Sequence, residues 1–312
     1  MTSTRDGSTT DGSTRDGSTR DGSTTDGSTT DGGRTARTGE DVPASGRTAG
    51  DGARRGVGHL APALAILRRD LFVTWRELPA FLTQVLLQPV FLLFVFGQVL
   101  GSLGFLQEGY AELLFPGIVA LTAFLTALQN TALPLVIDFS FSKEIEDRLL
   151  APTPTTAVAL EKIVFSSLRA LVASAAMFPL GVWILGEIPW RTEALGWVVL
   201  FVVLGSLTGA AAGLTLGTLV PPSKINIVFA LVLTPLLFTG ASQYPWASLD
   251  VLRWFQVVTA LNPLTYVSEG LRGVLIPGTP HIPAWVCALA LVGFLALFTA
   301  TGLRGFLRRA LD

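Results

Sequence analysis

Charge is scarce in this chain. Asp, Glu, Lys and Arg make up 14% of its 312 residues, where soluble globular domains carry about 25%, so most of the chain cannot present an ordinary hydrated surface. An excess of either sign is missing too. The formal net charge is −1 and the pI is near 6.2, which leaves no basic footprint for nucleic acid. The single cysteine, Cys287, excludes a disulfide framework within the chain and argues against a four-ligand zinc site. It lies in the apolar run 286–298 and reads as a small hydrophobe facing lipid or another helix. The only histidines are His59 and His281, so a hydrolase within the membrane would lack a buried nucleophile and base, and Gly101-Ser102-Leu103-Gly104 reads as a glycine turn. No G-x-x-x-x-G-K-[ST] loop occurs, so the chain is not expected to bind ATP itself or any other cofactor.

What remains is apolar: 50% of residues are hydrophobic and the mean hydropathy is +0.54. That average conceals a polar beginning. Residues 6–30 are five tandem copies of Asp-Gly-Ser-Thr-Thr/Arg, a period too short for a solenoid and without apolar groups to bury. Residues 1–58 are therefore expected to form a disordered, low-complexity tail, since ordering them would cost backbone entropy with no burial to offset it. Beyond it lie apolar segments at 80–101, 113–136, 160–185, 194–220, 225–242 and 284–303. Each approaches the roughly 20 residues that cross a bilayer, and no period-2 alternation points to a barrel. The expectation is an all-α integral membrane protein with six transmembrane helices, the segment 225–242 being the shortest. Small-residue runs such as Gly205–Gly213 suit close helix contacts. With both termini in the cytoplasm, that side carries Arg68, Arg69, Arg76, Lys143, Arg148, Lys162, Lys224, Arg304, Arg308 and Arg309, and the outside only Arg191, Arg253 and Arg272. This is the positive-inside asymmetry of a multi-pass protein.

Three segments do not simply span. Leu64, Leu67, Leu71, Trp75 and Leu78 recur at helical steps with Arg69, Asp70, Arg76 and Glu77 mostly off the stripe, so 59–79 is expected to be an amphipathic helix on the cytoplasmic interface. Between the second and third spans, Glu144 with Arg148 and Ile145 with Leu149 are i,i+4 pairs on a short helix stopped by Pro152 and Pro154. Apolar residues on a cytoplasmic loop call for a protein partner. After the fifth span, Leu249, Leu252, Phe255 and Val258 recur at every third residue, Asn262-Pro263 is a break, and Tyr266–Leu275 reads as a second short helix. Such a stretch is too broken to span and too apolar for an outer loop, which fits short helices resting in or re-entering the outer leaflet. Polar residues within spans, Gln84, Gln88 and Gln98 in the first and Gln129 and Asn130 in the second, either bond between helices or line a pathway. Lys162 and Arg169 read as cations snorkelling to the cytoplasmic face, with substrate binding by Arg169 the lesser reading.

The order of several pieces resembles the permeases of type-2 ABC transporters. They are Lys143-Glu144-Ile145-Glu146-Asp147-Arg148-Leu149-Leu150-Ala151-Pro152, Glu161-Lys162, Arg169-Ala170-Leu171 and Phe238-Thr239-Gly240-Ala241. Leu252-Arg253-Trp254-Phe255, Leu261-Asn262-Pro263-Leu264-Thr265-Tyr266 and Gly270-Leu271-Arg272 complete the set. The resemblance covers nearly all of 60–311, the tail having no counterpart. It implies a six-helix permease in the plasma membrane, paired with a second permease as homodimer or heterodimer, and driven by separate cytoplasmic ATPase subunits that bind ATP with Mg. It implies that Glu144, Ile145, Glu146, Arg148, Leu149 and Leu150 form the coupling helix. It also implies that the region of Gly240, Leu252, Phe255, Asn262, Pro263 and Tyr266 forms extracellular re-entrant helices capping the exit. The substrate implied is drug-, lipid- or glycolipid-like and moves outward. A secondary transporter is the alternative, weakened because Asp138 and Glu161 sit at span ends and no inverted repeat is evident; an intramembrane enzyme is weaker still.

Overall fold

The computed structural model describes residues 60–107, 109–138 and 155–311, with side chains from Glu77 onward apart from those of 155, 222, 226 and 309–311. The expected tail, Glu108 and the coupling segment 144–150 lie outside the described residues. Among the described residues there are helices and turns and no strand. Helix α1 runs Leu60–Leu93 and continues as a π-helical stretch, Phe94–Val99, and a last turn, Leu100–Ser102. The expected division between an interfacial helix ending at 79 and a span beginning at 80 does not appear as a break in the helix. Pro79 removes one backbone donor without ending the helix, and one turn on Thr83 Oγ1 donates back to the Pro79 carbonyl at 2.8 Å. Then follow α2 (Tyr110–Ile137), α3 (Thr155–Leu185), α4 (Leu195–Leu219), α5 (Ile225–Thr239), α6 (Arg253–Ala260), α7 (Pro263–Leu275) and α8 (Ala284–Leu311).

Five of these segments are long and apolar enough to cross a membrane: Glu77–Ser102, Tyr110–Ile137, Thr156–Leu185, Thr192–Leu219 and Ala284–Arg308. The sixth expected segment, 225–242, gives only the 15 residues of α5. At 1.5 Å per residue that helix falls short of a hydrocarbon core about 30 Å thick. Its end is set by the backbone beyond it. Gly240 is pressed against Leu264 of α7, and Ala241 has a positive φ of 49°, a left-handed conformation that no helix continues through.

The apolar windows of α2 and α4 are 78% and 61% buried, against 22% for α1 and 17% for α8, so α2 and α4 form the centre and the others wrap them. Their contact is built on glycine. Gly205, Gly209, Gly213 and Gly217 fall on one face of α4. A methyl group on Gly209 would strike the Phe124 carbonyl of α2, and one on Gly213 the Leu128 carbonyl. The two backbones therefore meet with nothing between them, which maximises dispersion where lipid supplies no hydrophobic drive. The α4 hydroxyls then reach the other way, toward α8. Thr215 Oγ1 donates to the Phe298 carbonyl at 2.8 Å and lies 3.2 Å from Thr301 Oγ1. Such interhelical bonds are worth about 0.6 kcal/mol each on average.

Residues 240–283 form a cap at the end of the bundle where α1 and α3 finish. It sits between the helix ends rather than above them. The Ser242 carbonyl meets Gly117, about two turns into α2, and Val267 of α7 meets Gly205, well inside α4.

Candidate functional site

A cavity of about 680 Å³ opens between α1, α2 and α3, within the size range of small-molecule sites. Gln84 and Gln88 from α1 and Gln129 and Asn130 from α2 all line it, so the structure gathers the four amides singled out in the sequence into one place. Their grouping follows from helix geometry, because Gln84 and Gln88 lie one turn apart and α2 presents consecutive polar residues opposite them. Asn130 Nδ2 donates to the Thr126 carbonyl at 2.8 Å, a bond within its own helix. The carboxamides of Gln84, Gln88 and Gln129 show no protein partner among the described residues. Gln98 is not part of this group. It lies beyond α1 in the π-helical stretch and donates to the Ile184 carbonyl of α3, an interhelical bond.

Arg169 of α3 completes the lining. Its guanidinium carbon sits 4.1 Å from the centre of the Phe81 ring and 5.8 Å from that of Phe165. The buried Nε has no hydrogen-bond partner, so the aromatic faces hold the cation without neutralising it. Glu77 and Phe81 of α1 and Leu121 and Leu125 of α2 supply the remaining character, one carboxylate beside an otherwise apolar wall. The cavity can thus offer amide donors and acceptors, one positive and one negative charge, and aliphatic surface to a single guest.

At the cap, the residues named from the sequence act as joints. Asn262 Oδ1 accepts from Leu264 N at 2.9 Å, capping α7, whose first residue is Pro263. Asn262 Nδ2 donates to the Leu236 carbonyl at 2.9 Å and to Thr239 Oγ1 at 3.0 Å, tying that start to the end of α5. Tyr266 Oη donates to the Ala260 carbonyl at 2.8 Å. Phe255 packs between Tyr244 and Trp254, with ring centres 6.3 and 5.5 Å away, while Leu252 ends the 3₁₀ turn Trp246–Leu252 half exposed. Sequence reading missed the centre of the cap. Glu269 and Arg272, both fully buried, form an ion pair through Oε1 and Nη1. Arg272 Nε donates to Leu113 O of α2 at 3.2 Å and Nη2 to Ala241 O at 3.0 Å. Glu269 accepts from Trp246 N at 3.0 Å and from Ile282 N at 3.4 Å. An acid and a base three residues apart in an apolar stretch are the one signal that could have pointed to it.

At the opposite end of the bundle, Lys162 Nζ of α3 meets Asp138 Oδ2, just after α2, at 2.9 Å. This half-buried pair ties the end of α2 to the second turn of α3, the helices that flank Glu144, Ile145, Glu146, Arg148, Leu149 and Leu150, residues outside the described ones.

Residues 63–276 match the family described as ABC-2 type transporter. Among curated proteins, the chain is similar to the transport permeases named ycf38. It is 29% identical to that of Cyanophora paradoxa over 218 residues, covering 67% of this chain and 72% of that protein. Identity is 29% to that of Pyropia yezoensis and 28% to that of Porphyra purpurea, each with the same coverage. No solved structure matches the chain.

Proposed function

The chain belongs to the ABC-2 type transporter family, and from that premise we propose that it is the membrane-spanning permease subunit of an ATP-driven exporter. The family match across 63–276 carries the reading. The energy is supplied by ATP and Mg on a separate cytoplasmic ATPase, and a second permease, identical or different, completes the assembly in the plasma membrane. Both termini face the cytoplasm, α5 serves as the short fifth of six spans, and 240–283 re-enters the outer leaflet to cap the exit. The depth of Ser242 and Val267 between α2 and α4 supports that last assignment. The cavity lined by Gln84, Gln88, Gln129 and Asn130 is part of the path by which a drug-, lipid- or glycolipid-like substrate leaves.

Coupling falls to the segment between α2 and α3. The Asp138–Lys162 pair fastens the end of α2 to α3 beside it, so a push on the loop is delivered to both helices that wall the cavity. Ile145 and Leu149 make the apolar contact to the ATPase and Glu144, Glu146, Arg148 and Leu150 flank it. Truncating such an anchor costs on the order of 2 kcal/mol, and a charge placed there is left desolvated and unpaired. Leu149→Asp is therefore expected to abolish transport and copurification of the ATPase at unchanged membrane abundance, with Arg148→Glu milder because rim charges mainly tune association rate. Normal transport by Leu149→Asp at normal expression would reduce the loop to a connector.

A further inference from the structure

A half-buried cation held on aromatic rings with no hydrogen-bonded counter-ion is an unusual thing to leave in a membrane protein, because a charge partly withdrawn from water demands a partner. Arg169 is that cation. No hydrogen bond or ion pair joins its guanidinium to any described residue, its Nε is buried and unpartnered, and Phe81 covers one face at 4.1 Å. Two buried or half-buried cations of the bundle are, by contrast, paired: Arg272 with Glu269, and Lys162 with Asp138. Arg169 instead lines a cavity whose other polar groups are neutral amides and hydroxyls and the exposed carboxylate of Glu77.

We propose that this cavity binds the anionic headgroup, a phosphate or carboxylate, of an amphiphilic substrate, with Arg169 as its charge partner and Gln84, Gln88 and Gln129 as hydrogen-bond donors to its oxygens. The guanidinium fork matches oxyanion geometry, which a point charge does not. Contact with the Phe81 ring restricts the guanidinium in advance, so less rotamer freedom is lost on binding. Leu121, Leu125 and Leu133 give the apolar part of the guest a wall, which selects an amphiphile over a free anion. Glu77 at the same cavity attracts Arg169 but is exposed and makes no ion pair with it, so water answers much of its charge, while Arg169 is half-buried against the rings. The inference rests on the cavity being part of the export path.

The test uses the purified full-length chain in uncharged-detergent micelles, titrated with dodecyl phosphate, dodecyl maltoside, dodecyl trimethylammonium and inorganic phosphate. Binding is read by native mass spectrometry. Dodecyl phosphate is expected to bind best. Arg169→Gln should weaken it roughly tenfold to hundredfold, the strength of a charge-assisted bond, and Arg169→Lys should weaken it less because the charge stays and the fork is lost. Leu125→Trp, which fills the cavity, should block the amphiphile. Equal binding of dodecyl phosphate by wild type and Arg169→Gln, with Leu125→Trp still blocking it, would overturn the charge assignment and leave the path intact. No effect of Leu125→Trp would overturn both. Preference for the cationic amphiphile would show that Glu77 sets the sign, and inorganic phosphate binding as tightly as dodecyl phosphate would show a free-anion site; either result overturns the proposal.

Discussion

Glu269 and Arg272 show what one buried pair can hold together. Through them a single turn of α7 bonds to Leu113, Ala241, Trp246 and Ile282, four points far apart in sequence. Removing one member of a buried pair strands the other charge and costs about 3–5 kcal/mol, whereas replacing both by apolar residues is often close to neutral. Glu269→Gln is expected to lower the melting midpoint of the solubilised protein sharply, and Glu269→Met combined with Arg272→Met to recover part of the loss. A double variant as unstable as the single one would show that the bonds to backbone, rather than the charges, hold the cap. The pair also marks the limit of legibility at this scale. Gln84, Gln88, Gln129 and Asn130 could be picked out because an amide in an apolar helix is conspicuous locally. Glu269 could not, since three of the partners that justify it lie between 13 and 156 residues away in the chain (Trp246, Ile282 and, through Arg272, Leu113). Arg169 was visible only as a cation near a span end, because whether it has a partner is a property of three helices at once.

Among the elements, α4 is the one whose sequence most fully dictates its place. Its small-residue run announces a close contact, and the spacing of Gly205, Gly209, Gly213 and Gly217 on one face gives the contact its direction. Gly209→Leu is expected to destabilise the protein by about 1–3 kcal/mol or more, since rigid backbone of α2 blocks the new side chain. Gly196→Ala, on the same helix but with open space around it, should be neutral or stabilising by up to about 1 kcal/mol through helix propensity. Thermal melting of the two variants in one detergent checks the contrast, and similar losses in both would mean that propensity, not the α2 contact, explains the glycines. Other boundaries were less legible. The break at Asn262-Pro263 is correctly placed, but it opens α7 at Pro263 rather than at Tyr266, because Asn262 caps the helix and proline suits its first position. The π-helical stretch Phe94–Val99 has no sequence signal, as it depends on how the end of α1 meets α2 and α3.

For the whole molecule, the testable quantity is its direction across the bilayer. Cys287 is wholly buried, so thiol labelling needs no cysteine-free background. Trp190→Cys and Val251→Cys, at positions 50% and 87% exposed, are expected to react with an impermeant reagent in intact cells, and Arg308→Cys only after the membrane is opened. The opposite pattern would invert the topology. The cap adds a point about time. Arg272 finds Leu113 and Ala241 already made when it leaves the ribosome, but Glu269 waits for Ile282, two residues before α8. Until then its carboxylate has only part of its final set of donors. The cap is therefore completed late in biosynthesis, and a nascent chain arrested between residues 272 and 282 still lacks one of the three donors that its buried acid finally has.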